Sequence, residues 1–336
     1  MSGTNAHPDA DDTGQDTPET QLRQILDTSP DFGLDINSAM TLLEQCTDED
    51  AKKALADDIA IFACRQQRTD VIHTLLDRNL GANGKEKNGG RNLLMLAASR
   101  NYASLAERLI EKGADVNATD RSGETALIFA VHNSGIATTI LLLDKGADIK
   151  KYGDAALSKA ILYTGSPEMV KLLLNRGANA RAKRFGSPML VEAAMRPPDI
   201  AQALIDNGAD INAQNDKGTT ALINAVGYSN TSVIDVLIEN GANLNIQDKR
   251  GQTALMAAVL RSSDAQDDNN AAIVQKLIDS GADLDIRDNQ GNTATDYARL
   301  NMHKTKAAEI FRIHAIKKAA EKGTTKPRKI LRPKVM

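Results

Sequence analysis

The sequence predicts an all-α solenoid with short β-hairpin tips, and three observations carry that prediction. A glycine followed by alanine closes an aliphatic run at Gly81, Gly113, Gly146, Gly177, Gly208, Gly241 and Gly281, with spacings of 32, 33, 31, 31, 33 and 40 residues. A second glycine precedes a short helical stretch at Gly90, Gly123, Gly153, Gly186, Gly218, Gly251 and Gly291. Two series that keep one period of about 33 residues describe a single supersecondary unit copied along the chain. The third observation is composition: 41% hydrophobic, yet only 3% aromatic and without Trp. Short helices stacked in file pack with Leu, Ile, Val and Ala, whereas one large core would draw on more aromatics.

In chain order, residues 1–20 are rich in Asp, Thr, Gly and Pro and have almost nothing to bury, which predicts a disordered acidic tail. Residues 21–56 predict a helical N-terminal cap, with PETQLRQILDT and NSAMTLLEQCTDEDAKKALADDIAIFACRQQ reading as amphipathic helices. A degenerate first repeat from Asp57 to Asn83 opens a solenoid over 57–300. Residues 301–320 predict a capping helix, and 321–336 a basic disordered tail. From Asn301 onward, eleven Lys and Arg face only Glu309 and Glu321, a net of +9.

The segment 120–150 shows why each unit has its shape. Gly123 permits the positive φ of a tight turn. Thr125 is placed to cap the helix that follows, and Leu127 and Ala130 share one helical face. A second helix is expected to carry Ile140, Leu141 and Leu143 inward. Gly146 would end it in the left-handed conformation common at helix C-termini. Ile149 then sits inward between polar neighbours, as in a short hairpin arm. The grammar returns from Asp216, from Asp248 and from Asp288. The unit around Gly153 lacks the threonine cap and is the weakest, while 184–194 leaves the helix start ambiguous by one residue.

These residues resemble the ankyrin repeat, whose pattern runs roughly D-x-x-G-x-T-P-L-H-x-A-A and then L-L-x-x-G-A-D-x-N. The resemblance implies about seven to eight units, each a β-turn plus two antiparallel helices, stacked into a curved array with helical caps. The chain departs from the pattern where the proline becomes Ala126, Ala221, Ala254 and Ala294, and where the histidine becomes Ile128, Ile223 or Met256. Loss of the Thr–His bonding is expected to soften individual units.

Chemistry is not expected. The five histidines are scattered, no His, Cys or carboxylate pair has metal-ligand spacing, and phosphate-loop and nucleophile-elbow motifs are absent. No cofactor or metal is predicted. Asp264, Asp267 and Asp268 sit in an insertion without the glycine and glutamate of a calcium loop, which reads as a solvated loop. Cys46 and Cys64 read as buried free thiols of a reducing compartment. The N-terminus has no basic-then-apolar leader, and no apolar run reaches roughly 18 residues, so a cytoplasmic protein without a membrane span is expected.

The resemblance implies a partner protein held along a concave face made of hairpin tips and inner-helix ends. Counting from the turn glycine, that face takes Lys151, Tyr152, Arg184, Phe185, Lys217, Lys249 and Arg250 at the tips, and Tyr163, Arg196, Tyr228 and Arg261 at the helix ends. Four of the chain's ten aromatics fall there among cations, with Asp216 the exception. The expected partner is therefore a protein with acidic residues around an apolar anchor. Nucleic acid fits poorly, because the last 25 residues interleave no aromatics with their cations. The leading expectation is an adaptor or regulatory scaffold. A secreted effector acting on host proteins, its basic C-terminus serving export, is the alternative, and an enzyme with an unrecognised site is the remote one. Oligomeric state is left open by the sequence.

Overall fold

The computed structural model describes residues 17–28, 35–261, 268–300 and 306–321. The tails read at 1–20 and 321–336 lie outside these apart from their inner edges, as do Asp264 and Asp267 of the insertion. The chain is mostly helical and forms two compact units, 1–148 and 149–336.

In the first unit, α1 (Pro18–Thr28) and α2 (Ile36–Gln45) pack on each other and on α3 (Glu49–Arg65). Helix α1 starts three residues inside the expected tail, with Pro18 in its first turn, where a missing N–H costs nothing. The long stretch read after Asn37 breaks at Cys46–Asp48, because Asp48 accepts from the amides of Asp50 and Ala51 and restarts the helix. Four further helices follow α4 (Thr69–Asp77): α5 (Leu93–Ser99), α6 (Ala103–Glu111), α7 (Ala126–His132) and α8 (Ile136–Asp144). First helices pack on first helices (α3 on α5, α5 on α7) and second on second (α4 on α6, α6 on α8). Each helix pair thus completes its core against the next.

The second unit continues the pairing. Helix α9 (Ile149–Lys159) runs into a π-turn at Ala160–Thr164 and is followed by α10 (Pro167–Asn175). Strands β1 (Lys183–Arg184) and β2 (Ser187–Pro188) form an antiparallel hairpin. The helices α11 (Met189–Glu192), α12 (Pro198–Asp206), α13 (Ala221–Gly227), α14 (Thr231–Glu239), α15 (Ala254–Arg261), α16 (Asp268–Asp279), α17 (Ala294–Leu300) and α18 (Lys306–Glu321) complete it. Here α10 packs on α12, α12 on α14, α13 on α15 and α15 on α17, and α18 closes over α16 and α17.

Local chemistry accounts for the regular units. Thr125, Thr220 and Thr253 each accept from the amide three residues on, at 3.4, 3.2 and 3.3 Å. One residue three before the turn glycine shapes the turn itself. Asp120, Asn215, Asp248 and Asp288 each accept two backbone amides through Oδ1, at 2.8–3.0 Å. The residue that does this in the unit read from Asp216 is therefore Asn215. The first glycine series takes φ of +74° to +95° throughout, closing each second helix as expected.

Three units lack the Asx residue, and two of them depart from the expected shape, the unit of Gly90 keeping its turn glycine at φ +73° with Lys87 at that position. In those two the position holds Lys150 and Lys183. Around Lys150 no turn forms. Gly153 lies buried inside α9, so Gly153 is no turn glycine, Ile149 opens a helix rather than lining a hairpin arm, and Lys151 and Tyr152 lie on α9 rather than at a tip. The boundary between the two compact units falls at this point. One extra residue then separates Gly153 from the left-handed Gly165, and the π-turn absorbs it. Around Lys183 the β1–β2 hairpin replaces the Asx turn. The following helix is cut to four residues and a 3₁₀ turn, Ala193–Met195. Its exit falls on Pro197, held at φ −53°, where Asn101, Ser134 and Ser229 of other units turn left-handed.

Helix α8 also corrects the reading. Ile140, Leu141 and Leu143 are only half-buried; Thr138, Thr139 and Leu142 face the core. The hydroxyls of Thr138 and Thr139 are buried without a hydrogen-bond partner.

Candidate protein-binding surface

All eleven residues expected to meet a partner lie in the unit 149–336. Nine occupy the positions the glycine register assigns, and two, Lys151 and Tyr152, do not. The helix-end residues form a row. Tyr163 closes the π-turn after α9, Arg196 follows the 3₁₀ turn after α11, Tyr228 caps α13, and Arg261 ends α15. Side-chain hydrogen bonds to backbone carbonyls tie this row from unit to unit. The Arg196 guanidinium donates to the Leu162 carbonyl, and the Arg261 guanidinium donates to that of Gly227. Asn230 Nδ2 joins the intervening pair by donating to the carbonyls of Ala194 and Arg196, each at 3.0 Å.

The order along the row alternates: tyrosine, arginine, tyrosine, arginine. Both tyrosines are 56% exposed. The arginines are partly committed to the scaffold, so they work as positioned cations rather than as freely swinging ones. Arg196 is half-buried, and its Nε is buried without a hydrogen-bond partner. Lys159, one turn before Tyr163 on the same helical face, places its ammonium 5.0 Å from the tyrosine ring centre. The sequence reading missed Lys159, although the four-residue spacing to Tyr163 was a usable signal. Met195 (41% exposed) and Leu260 (42%) extend the apolar part of the row beside each arginine.

The tips flank this row. Phe185 is 87% exposed, more than any other large hydrophobic side chain described. It sits with Gly186 in the two-residue loop of the β1–β2 hairpin, at φ +47° against +76° for the glycine. Positive φ at both positions is the type I′ arrangement, which normally takes Asn-Gly. A phenylalanine there carries backbone strain of about 1–2 kcal/mol while leaving its ring in water. The Arg184 guanidinium stacks 4.6 Å from that ring. Lys217, Lys249 and Arg250 are exposed at the next two tips. Those tips are joined by backbone bonds, Lys249 N–H to the Lys217 carbonyl at 3.0 Å and Asn289 N–H to that of Arg250 at 3.1 Å. The Asp216 carboxylate lies so close to Gly186 that a Cβ there would meet Oδ2 at 2.2 Å.

Among the described residues there is no group of three or more His, Cys, Asp or Glu able to hold a metal ion. No described helix is long and apolar enough to cross a membrane. Cys46 and Cys64 are buried free thiols, and burial pushes the Cys64 thiol up to about 11, far from the thiolate a nucleophile needs.

Comparison with known proteins matches this architecture. The profile described as ankyrin repeats (3 copies) matches residues 32–120, 94–184 and 190–288. The human ankyrin repeat and KH domain-containing protein 1 is 44% identical over 71 residues, which is 20% of this chain and 3% of that protein. This chain therefore matches only a small fraction of that relative's length. The crystal structure of the human ASB11 ankyrin repeat domain superposes with a TM-score of 0.55 at 26% identity, covering 66% of this chain and 97% of that one.

Proposed function

Because the chain belongs to the ankyrin-repeat family, whose repeats are generally protein–protein interaction modules, we propose that the unit 149–336 is a non-catalytic scaffold. It holds a partner protein on the surface built from Tyr163, Phe185, Tyr228 and their cations. The observation that carries this reading is the exposure of three of the chain's few aromatic rings on one register of tips and helix ends. Each ring costs free energy in water, at roughly 25 cal/mol per Å² of apolar surface, and the Phe185 backbone is strained besides. Burial against a partner recovers both costs.

The surrounding charge selects the kind of partner. Lys159, Arg184, Arg196, Lys217, Lys249, Arg250 and Arg261 stand against Asp216, so an acidic segment with an aromatic or aliphatic anchor fits best. Lys151 and Tyr152 contribute from helix α9, the ammonium 5.0 Å from the ring centre, rather than from a tip. The test is capture from the native source with wild type beside Tyr163→Ala/Tyr228→Ala. Loss of one defined partner with unchanged helical circular dichroism supports the reading. Equal capture by both proteins, or loss of folded signal in the variant, sinks it.

A further inference from the structure

An asparagine followed by glycine is prone to lose its side-chain amide, because no Cβ shields the glycine nitrogen or restricts its backbone. The chain has four such pairs: Asn83–Gly84, Asn88–Gly89, Asn207–Gly208 and Asn240–Gly241. Cyclisation requires the glycine amide to give up its proton and swing onto the asparagine Cγ. A pair whose glycine N–H is hydrogen-bonded and whose carboxamide is held is therefore protected. The fold treats the four pairs differently.

Asn207 and Asn240 stand at the ends of α12 and α14. The Gly208 amide donates to the Ile205 carbonyl at 2.9 Å, and the Gly241 amide to that of Ile238 at 3.0 Å. Their carboxamides are held as well. Asn207 Nδ2 donates to the Ala203 carbonyl at 2.9 Å, and Asn240 Nδ2 to that of Val236 at 2.8 Å. Asn83 is exposed, but its backbone is pinned to α3. Its amide donates to Asp57 Oδ1 at 3.1 Å, and a Cβ on buried Gly84 would lie 2.5 Å from the Asp57 carbonyl oxygen. Asn88 has none of these restraints. It lies in the loop 87–90, closed by the bond from the Glu86 amide to the Arg91 carbonyl at 2.8 Å. Lys87, Asn88 and Gly89 are exposed, and nothing lies within 4 Å of a Cβ placed on Gly89. Among the described residues, none bonds to the Asn88 carboxamide or accepts the Gly89 N–H.

We propose that Asn88 is a deamidation site, the first of the four pairs to react in the folded chain. The Gly89 nitrogen, its proton taken by hydroxide, attacks Cγ of Asn88. The Cγ–Nδ2 bond breaks, ammonia leaves with a proton from water, and a five-membered succinimide remains. Water then opens the ring. Opening at Cγ gives aspartate; opening at the main-chain carbonyl gives isoaspartate, whose backbone is one methylene longer. Either product puts a carboxylate where a neutral amide stood.

The loop is placed to register the change. Lys87 pairs with Asp27 of α1 at 2.6 Å, and a new carboxylate beside it competes for that ammonium. The Arg121 amide donates to the Gly89 carbonyl at 3.0 Å, and its guanidinium donates to the Lys87 carbonyl at 3.2 Å. The extra methylene of isoaspartate shifts the carbonyls on which the next tip rests.

The experiment ages the full-length chain in mildly alkaline buffer, once folded and once in urea. Peptide mapping by mass and retention follows all four pairs. In the folded chain Asn88 is expected to react at least about tenfold faster than Asn207 or Asn240, the factor that one hydrogen bond on the nucleophile supplies, and faster than Asn83. In urea the four rates are expected to converge. Aged protein is expected to unfold at lower urea than fresh protein, whereas Asn88→Gln, which cannot form the five-membered ring, keeps its midpoint on ageing. Equal folded-state rates at Asn88 and Asn207, earlier reaction at Asn83, or the same loss of midpoint in aged Asn88→Gln would each overturn the proposal.

Discussion

At the scale of single residues, the same position serves the same carbonyl with different chemistry. Asn117 Nδ2, Lys150 Nζ and Arg181 Nε all occupy the fourth place after the closing glycine. Each donates to the carbonyl of the next unit's glycine: Gly146 at 3.0 Å, Gly177 at 3.1 Å and Gly208 at 2.8 Å. The geometry of stacking dictates the bond, and the sequence is free to choose the donor. Glycines are less interchangeable. Gly208 has nothing within 4 Å of an added Cβ, so Gly208→Ala should cost only the positive-φ strain, about 1 kcal/mol in urea unfolding. At Gly218 the Cβ would lie 2.8 Å from the Lys249 amide nitrogen, and Gly218→Ala should cost about 3 kcal/mol, because a neighbouring backbone must move as well. Equal costs would show that the close approach of the tips contributes nothing. Phe185→Asn runs the other way. Asn-Gly suits the hairpin loop, so the variant should gain about 1 kcal/mol in stability while losing the partner. A destabilised variant would mean that the ring supports the fold.

At the scale of elements, what could be read in the sequence followed how much of a unit's shape is written locally. The threonine caps and the closing glycines were legible because few residue types do each job, although Asn92 fills the cap position in the unit of Gly90. The turn was less so. Its Asx residue was masked in one unit by the adjacent Asp216, and its absence at Lys150 and Lys183 allowed a continuous helix in one unit and a β-hairpin in the other. Nothing local says which of these alternatives a missing Asx residue produces. Helix α8 misled for a different reason. Its hydrophobic run, Ile140 to Leu143, is longer than its buried face, so hydrophobicity could not fix the rotation. The rotation is set by Thr138 and Thr139, which stand where α10 buries Met169 and Val170. Two buried hydroxyls without partners are an identifiable weakness. Thr138→Val and Thr139→Val keep the branched shape and remove an unpaired group, and each should stabilise the protein by about 1 kcal/mol in denaturant unfolding. A loss of stability in both would show that the hydroxyls are satisfied in solution.

At the scale of the whole molecule, the proposed function rests on how charge and exposed apolar surface are distributed along a chain whose net charge is only −3. The candidate surface was legible as a register, because repeat spacing converts sequence position into place. It was not legible as geometry, since the commitment of Arg196 and Arg261 to neighbouring carbonyls depends on the stack itself. That commitment leads to a kinetic prediction. On the proposed reading, the exposed tip cations, Lys217, Lys249 and Arg250, attract an acidic partner across solvent, a force screened over about 10 Å at 0.1 M ionic strength. On the same reading, the rings of Tyr163, Phe185 and Tyr228 act only after contact. Raising salt from about 50 to 200 mM should therefore slow association several-fold and leave dissociation nearly unchanged. Tyr163→Ala and Tyr228→Ala should do the reverse, speeding dissociation by tenfold or more at constant association rate. Surface-resolved binding kinetics with the captured partner separates the two. A salt effect confined to dissociation would place the cations inside a desolvated contact, and the row of helix ends, rather than the tips, would then be where charge is read.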